Sequence, residues 1–168
     1  MTPPLISIAV PIYNTAHYLP AALDSLLAQD YPHWEALLWD DGSASALCGK
    51  VDLGTGIATA LGQLVAEELD ADWKKVKWEY PTPGANLARK RVWGDMSPGG
   101  SRGIRGSHDY VREGGAAARE MLIQAAANQW KVPAAECKAV DGTVVHTPSA
   151  RKVSYGKVAA AAAKLEPP

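Results

Sequence analysis

The residues best equipped for chemistry fall into two groups that imply different kinds of site. Asp40 and Asp41, followed by Gly42 and Ser43, put two carboxylates in a turn, and Pro11 to Asn14, PIYN, makes a second polar turn earlier in the chain. A carboxylate accepts hydrogen bonds and donates none, so this pair can read the N–H of a ligand or close its own turn through backbone amides. The second group is Gly99-Gly100-Ser101-Arg102-Gly103-Ile104-Arg105-Gly106-Ser107. Glycines let backbone amides approach an anionic ligand, and a helix starting after them adds its positive end. His108 could act as a base, but no acid or nucleophile is paired with it, and a capping or surface role is expected. His17, His33 and His146 lack metal-ligand spacing. Cys137 is expected to be packed rather than reactive. No catalytic residue and no metal ligand is assigned.

The elements that must position these groups follow from periodicity. Leu5 to Val10, LISIAV, is a short apolar run of the kind covered on both faces in a parallel sheet. Asn14 or Thr15 can cap a helix with Leu19, Leu23, Leu26 and Leu27 at helical spacing, ended by Tyr31-Pro32, and His33 to Trp39 returns as a strand. This β-α-β order makes the two strands parallel, with Pro11–Asn14 and Asp40–Ser43 at their carboxyl ends, where ligands bind in such sheets.

Beyond a seam at Trp39–Val51 the pattern changes. Val51 to Gly56 reads as a strand end and a glycine-flanked loop, and Ile57, Leu61, Leu64, Val65 and Leu69 mark one face of a helix. Lys75 to Tyr80 alternates like a strand. Pro81 to Pro98 reads as irregular, with Arg89-Lys90-Arg91 as a solvated group beside Trp93. A long alanine-rich helix is expected from about Asp109 to Trp130, with Val111, Ala118, Leu122 and Ala125 on one face and Gly114 and Gly115 signalling a close neighbour. Asp141-Gly142 marks a hairpin between Cys137–Val140 and Thr143–His146. Ser154 can cap a last helix, Tyr155 to Leu165. The fold class is α/β: an N-terminal Rossmann-like βαβ unit followed by an α+β segment with a long Ala-rich helix and a β-hairpin.

At 168 residues and 47% hydrophobic composition the chain can bury a core. A net charge of −1 gives no general attraction to nucleic acid or anionic lipid. Two cysteines cannot build a four-sulfur metal or iron–sulfur site. With neither a basic signal region nor an apolar run of ~18 residues, a cytoplasmic location without a membrane span is expected.

The stretch Leu5 to Ser43, carrying VPIYN, YLPAALDSLLAQDYP and WDDGS, resembles the start of the family 2 glycosyltransferases of the GT-A fold. The resemblance implies that Pro11 and Tyr13 line a nucleotide base, that Asp41, next to Asp40, reads it, and that the substrate is a UDP-sugar held with a divalent cation. The family's metal-binding DxD has its spelling at Asp70-Ala71-Asp72, but at a helix end, where it reads as a solvated terminus.

Residues from about Lys50 onward resemble the molybdopterin-binding large subunit of the xanthine dehydrogenase and aldehyde oxidase family, of the isoquinoline 1-oxidoreductase and nicotinate dehydrogenase type. The carriers are VDLGTGIATALGQLVAEELDADWKKVKWE, PGGSRGIRGSHDYVREGGAAAREMLIQAAANQWKVPAAEC and DGTVVHTPSARKVSYGKVAAAAAKL. The resemblance implies a molybdopterin cofactor held by Gly54, Thr55 and Gly56 in one loop and Gly99, Gly100 and Ser101 in another. It also implies an iron–sulfur partner subunit that takes electrons from the hydroxylation of a small aldehyde or N-heterocycle. Thr55 stands where many relatives carry Gln, and the family's catalytic glutamate has no counterpart here.

The expected organisation is therefore a composite, truncated chain. Residues 1–46 would be a partial nucleotide-binding unit and residues 47–168 a partial molybdopterin-binding unit, neither active alone. The alternatives are a nucleotide-sugar-dependent glycosyltransferase and a non-enzymatic binding module. An open edge on the first unit would leave residues 1–46 poorly anchored unless it found a strand from the second.

Overall fold

The computed structural model describes residues 6–11, 34–40, 43–91 and 93–168, with backbone only for 6–11, 34–40, 43 and 44. The helix expected between Asn14 and Tyr31, with Tyr13, His17, His33, Asp41 and Gly42, lies outside the described residues.

Strands β1 (Ile6–Pro11) and β2 (Trp34–Asp40) are parallel, in register from Ile6↔Trp34 to Pro11↔Trp39. The sheet does not stop there. β3 (Ser43–Leu47) pairs antiparallel with β2, and β4 (Val76–Glu79) pairs parallel with β3, giving the order β1-β2-β3-β4. Strand pairing thus crosses the seam, and position 46/47 falls inside β3. Asp40 pairs with Ser43, which leaves only Asp41-Gly42 between the paired positions. The strand expected at Val51 lies earlier in the chain, because Ser43–Leu47 finds partners on both sides.

Helix α1 (Ile57–Leu69) buries Ile57, Leu61, Val65 and Leu69 as its spacing dictates. Two short elements come next, α2 (Pro83–Ala88) and α3 (Arg102–Arg105). They lead to the long α4 (His108–Trp130), which buries Val111, Ala118, Leu122 and Ala125. α4 packs against α1 at Gly115, where an added Cβ would stand 2.8 Å from Glu68 Cβ and 3.5 Å from the Val65 carbonyl oxygen. That approach is why a glycine interrupts an otherwise strong helix former.

A second, antiparallel sheet joins β5 (Cys137–Val140), β6 (Thr143–His146) and β7 (Arg151–Ser154), ahead of α5 (Tyr155–Ala162). Its Asp141-Gly142 turn docks on the end of α1, with Gly142 N–H donating to Asp70 O at 2.7 Å. Fully buried Tyr155 donates its hydroxyl to Leu69 O at 2.6 Å. These bonds satisfy carbonyls that the helix end would otherwise orphan. Leu69, Leu122, Val144 and Val158 meet in the core, each burial contributing roughly 1.5–3 kcal/mol.

Three expectations are corrected. The segment 81–98 is not irregular throughout, since Thr82 caps α2 by accepting from Ala85 N at 3.0 Å and Pro83 stands in its first turn. Arg89 is not simply solvated: its guanidinium lies 4.4 Å over the ring of buried Trp93, while Lys90 and Arg91 are exposed. The last helix ends at Ala162 rather than Leu165, where the chain tightens into a turn.

Candidate functional site

The loop before α1 and the loop before α3 border one cavity of about 580 Å³. Leu53, Thr55 and Ile57 form one wall, and Ser97, Gly99, Gly100, Ser101 and Ile104 the other. Thr55 of the first glycine loop and Gly99, Gly100 and Ser101 of the second are thus gathered around the same space, although the two loops stand more than forty positions apart. The walls are tied by Val51 N–H donating to Met96 O at 2.9 Å.

The first wall is organised by Asp52, which lies outside the glycine motif itself. Its Oδ1 accepts from the amides of Gly54 (2.9 Å), Thr55 (2.8 Å) and Gly56 (3.2 Å) and from Thr55 Oγ1 (3.3 Å); its Oδ2 accepts from Ala58 N (3.4 Å). Desolvation pulls this carboxyl's pKa up, but the amides of Ala58, Thr55, Gly56 and Gly54 outweigh it and hold the pKa below the ordinary value. The positive start of α1 is therefore already complemented by an internal anion. Gly54 (φ 87°) and Gly56 (φ 72°) take left-handed conformations that let the loop wrap that carboxylate. The Thr55 hydroxyl donates to Asp52, so its hydrogen bond points into its own loop.

The second wall is organised by Arg102. Its Nε donates to Gly99 O (3.0 Å), one terminal nitrogen to Ser97 Oγ (3.0 Å), and the other pairs with Asp95 at 3.2 Å. Asp95 in turn accepts from Ser97 N at 2.9 Å, and the Ser97 hydroxyl accepts from Gly99 N at 3.3 Å. The Ser97 amide, aided by Arg102 and Lys50 against desolvation, keeps the Asp95 carboxyl below its ordinary pKa. Gly100 (φ 65°) and Ser101 (φ 58°) are left-handed; for serine that conformation carries strain of the kind that collects at ligand sites. A Cβ at Gly100 would meet nothing within 4 Å, so its backbone faces open space.

Asp52 and Arg102 were legible only as local chemistry. An aspartate two residues before a glycine is an Asx-turn signal, and Asp95-x-Ser97 has the same spacing with serine in the glycine's place.

The other candidates lie elsewhere. His108 is half-exposed and pairs with exposed Asp109 at 2.9 Å, a surface role. His146 is buried between Ser149 Oγ (2.6 Å) and Glu136 Oε2 (2.8 Å). Burial pushes the Cys137 thiol up, away from thiolate reactivity. Pro11 and Asp40 end the parallel strands β1 and β2 at the same edge of the sheet. Asp70 caps α1 and Asp72 caps the following turn through Lys74 N, so neither is arranged as a cation ligand. Among the described residues no group of three His, Cys, Asp or Glu could hold a metal ion, and no helix is long and apolar enough to cross a membrane.

Comparison with known proteins places the chain in a wider group. A family model described as the molybdopterin cofactor-binding domain matches residues 6–168. The chain is 39% identical over 121 residues to the isoquinoline 1-oxidoreductase subunit beta of Brevundimonas diminuta, covering 71% of this chain and 16% of that relative. A shorter match, 45% identical over 47 residues, is to a UDP-Glc:alpha-D-GlcNAc-diphosphoundecaprenol beta-1,3-glucosyltransferase of Escherichia coli, covering 28% of this chain and 19% of that protein. Among solved structures, quinoline 2-oxidoreductase from Pseudomonas putida 86 shares the fold with a TM-score of 0.54 at 18% identity, over 71% of this chain and 14% of the other.

Proposed function

Because the chain belongs to the molybdopterin cofactor-binding domain family, we propose that the cavity between its glycine loops is a molybdopterin site and that it works as the cofactor-holding portion of a larger oxidoreductase. The observation that carries this is the convergence of Thr55 with Gly99, Gly100 and Ser101 on one cavity. The residues fit the group. The volume suits a small-molecule cofactor, Leu53, Ile57 and Ile104 offer apolar cover for a flat ring, and the Ser97 and Ser101 hydroxyls with the Gly100 backbone offer polar edges. Gly54 and Gly56 support this wall from behind, shaping the loop around Asp52.

When bound, the group supplies oxidation of an electron-poor C–H carbon with water as the oxygen source. The chain's own share is binding and orientation: no described residue lining the cavity carries an ionisable side chain. The acid or base, the substrate pocket for an aldehyde or N-heterocycle, and the electron outlet then belong to further polypeptide, with an iron–sulfur subunit taking the electrons. The chain spans about a sixth of the length of the isoquinoline 1-oxidoreductase subunit beta that it matches. Loading with the cofactor, measured as pterin released from the purified chain and its loss in Gly100→Val, tests the assignment.

A second reading covers the N-terminal part. The shared carboxyl edge of β1 and β2 brings the backbones of Pro11 and Asp40 to one side of the sheet, supporting residues 1–46 as the start of a nucleotide-sugar unit of separate origin. Saturable binding of a UDP-sugar in the presence of a divalent cation, lost in Asp41→Ala, is the expected result. Absence of binding by the intact chain would overturn this second reading. An uninterrupted transcript across Gly42 to Val51 would establish the joining of the two parts as a fusion.

A further inference from the structure

β4 is an edge strand, and its pairing shows which of its backbone groups face outward. Cys48 N–H donates to Glu79 O at 2.8 Å, so Glu79 faces β3. In a strand the N–H and C=O of one residue point to the same side and alternate along the chain, so Lys77 also faces β3 while Trp78 turns its own to the open edge, with Tyr80 directly after the strand. No described strand lies beyond β4. The side chains beside this edge are large and apolar: Trp78 is 37% and Tyr80 49% exposed, Trp73 stacks on Trp78 at 5.9 Å, and both tryptophan rings lie over Gly62 of α1, which leaves the backbone edge itself uncovered. An open strand edge of this kind is normally blocked or used.

The charges around it have one predominant sign. Lys74, Lys75 and Lys77 are exposed, and none forms a salt bridge among the described residues. On the strand only Glu79 opposes them, while Asp72 is engaged in capping Lys74 N. Lysines guard an edge against a second copy of the same chain, since two such edges would repel, but they attract a strand carrying carboxylates. We propose that the β4 edge is a docking surface for an extended, acidic segment of another polypeptide, which adds as a fifth strand through the backbone of Trp78 and Tyr80. The proposal does not depend on the cofactor assignment.

The test uses the full chain and two end-blocked octapeptides, one alternating Glu with Val and one alternating Lys with Val. The acidic peptide is expected to slow hydrogen exchange at the Trp78 and Tyr80 amides about tenfold. The triple variant Lys74→Glu, Lys75→Glu, Lys77→Glu, whose substitutions lie on the surface, should lose this protection while keeping the circular dichroism of the parent. Failure of the acidic peptide to protect these amides overturns the proposal. So does equal protection by both peptides, or protection that rises with protein concentration alone, which would make a second copy the occupant.

Discussion

Gly103 of α3 sits directly over Ile57, the first residue of α1: a Cβ at position 103 would come within 2.8 Å of Ile57 Cγ1 and 3.0 Å of its Cδ1. This contact lets the two glycine loops face each other, since a larger residue at 103 must displace the buried Ile57 side chain or lift α3 off the start of α1. Gly103→Ala is therefore expected to destabilise the chain by about 1–3 kcal/mol, the usual cost of overpacking. Urea unfolding measures it, and a neutral result would show that the loops meet less closely.

Asp52 gives a pH signature. Its pKa is lowered in the folded chain, so the stability it contributes is present above its ordinary value of 3.8 and is lost as pH falls through the lower folded value. The stability gap between the parent and Asp52→Ala should be widest above about pH 5 and close below pH 3.8, by thermal unfolding across that range. A gap that stays constant with pH would mean that the charged carboxylate is not what organises the loop.

Tyr155 joins the last helix to the first. Its hydroxyl is buried, pushed to a high pKa by desolvation and by nearby Asp70, and so remains a neutral donor to Leu69 O. Tyr155→Phe leaves that carbonyl short of a partner and should cost about 1–3 kcal/mol, read from the unfolding midpoint at constant m. An unchanged midpoint would mean that another donor takes over.

Much of this arrangement was legible in the residues. The apolar spacing of Ile57, Leu61, Val65 and Leu69 gave α1, and Asp141-Gly142 gave the second hairpin, because both signals are local. Ser43–Leu47 carried no such signal: alternating Ser and Ala have little strand propensity of their own, and it is pairing with β2 and β4 that makes them a strand. The glycine loops announced a ligand site, but not that Asp52 and Arg102 shape it. Those roles need the fold, which sets the Asp52 carboxylate on the start of α1 and brings the loop fixed by Arg102 opposite it.

Ser97 and Arg102 should matter to the cavity rather than to the core. Arg102→Ala removes three hydrogen-bonding contacts to an exposed loop, so global stability should change by under about 1 kcal/mol, while proteolysis between Asp95 and Gly103 speeds up. Unchanged cleavage would mean that the loop holds its shape without the guanidinium.

The central claim is that the cavity between residues 54–56 and 99–101 holds a molybdopterin. It is tested most directly by expressing the full chain in a host that makes the cofactor, then assaying the folded, purified protein for molybdenum and for oxidised, fluorescent pterin. Both should co-purify with the parent chain and be absent from Gly100→Val, whose side chain would enter the open space at a left-handed position. A folded parent chain carrying neither, or a variant that carries both as fully as the parent, would contradict the assignment.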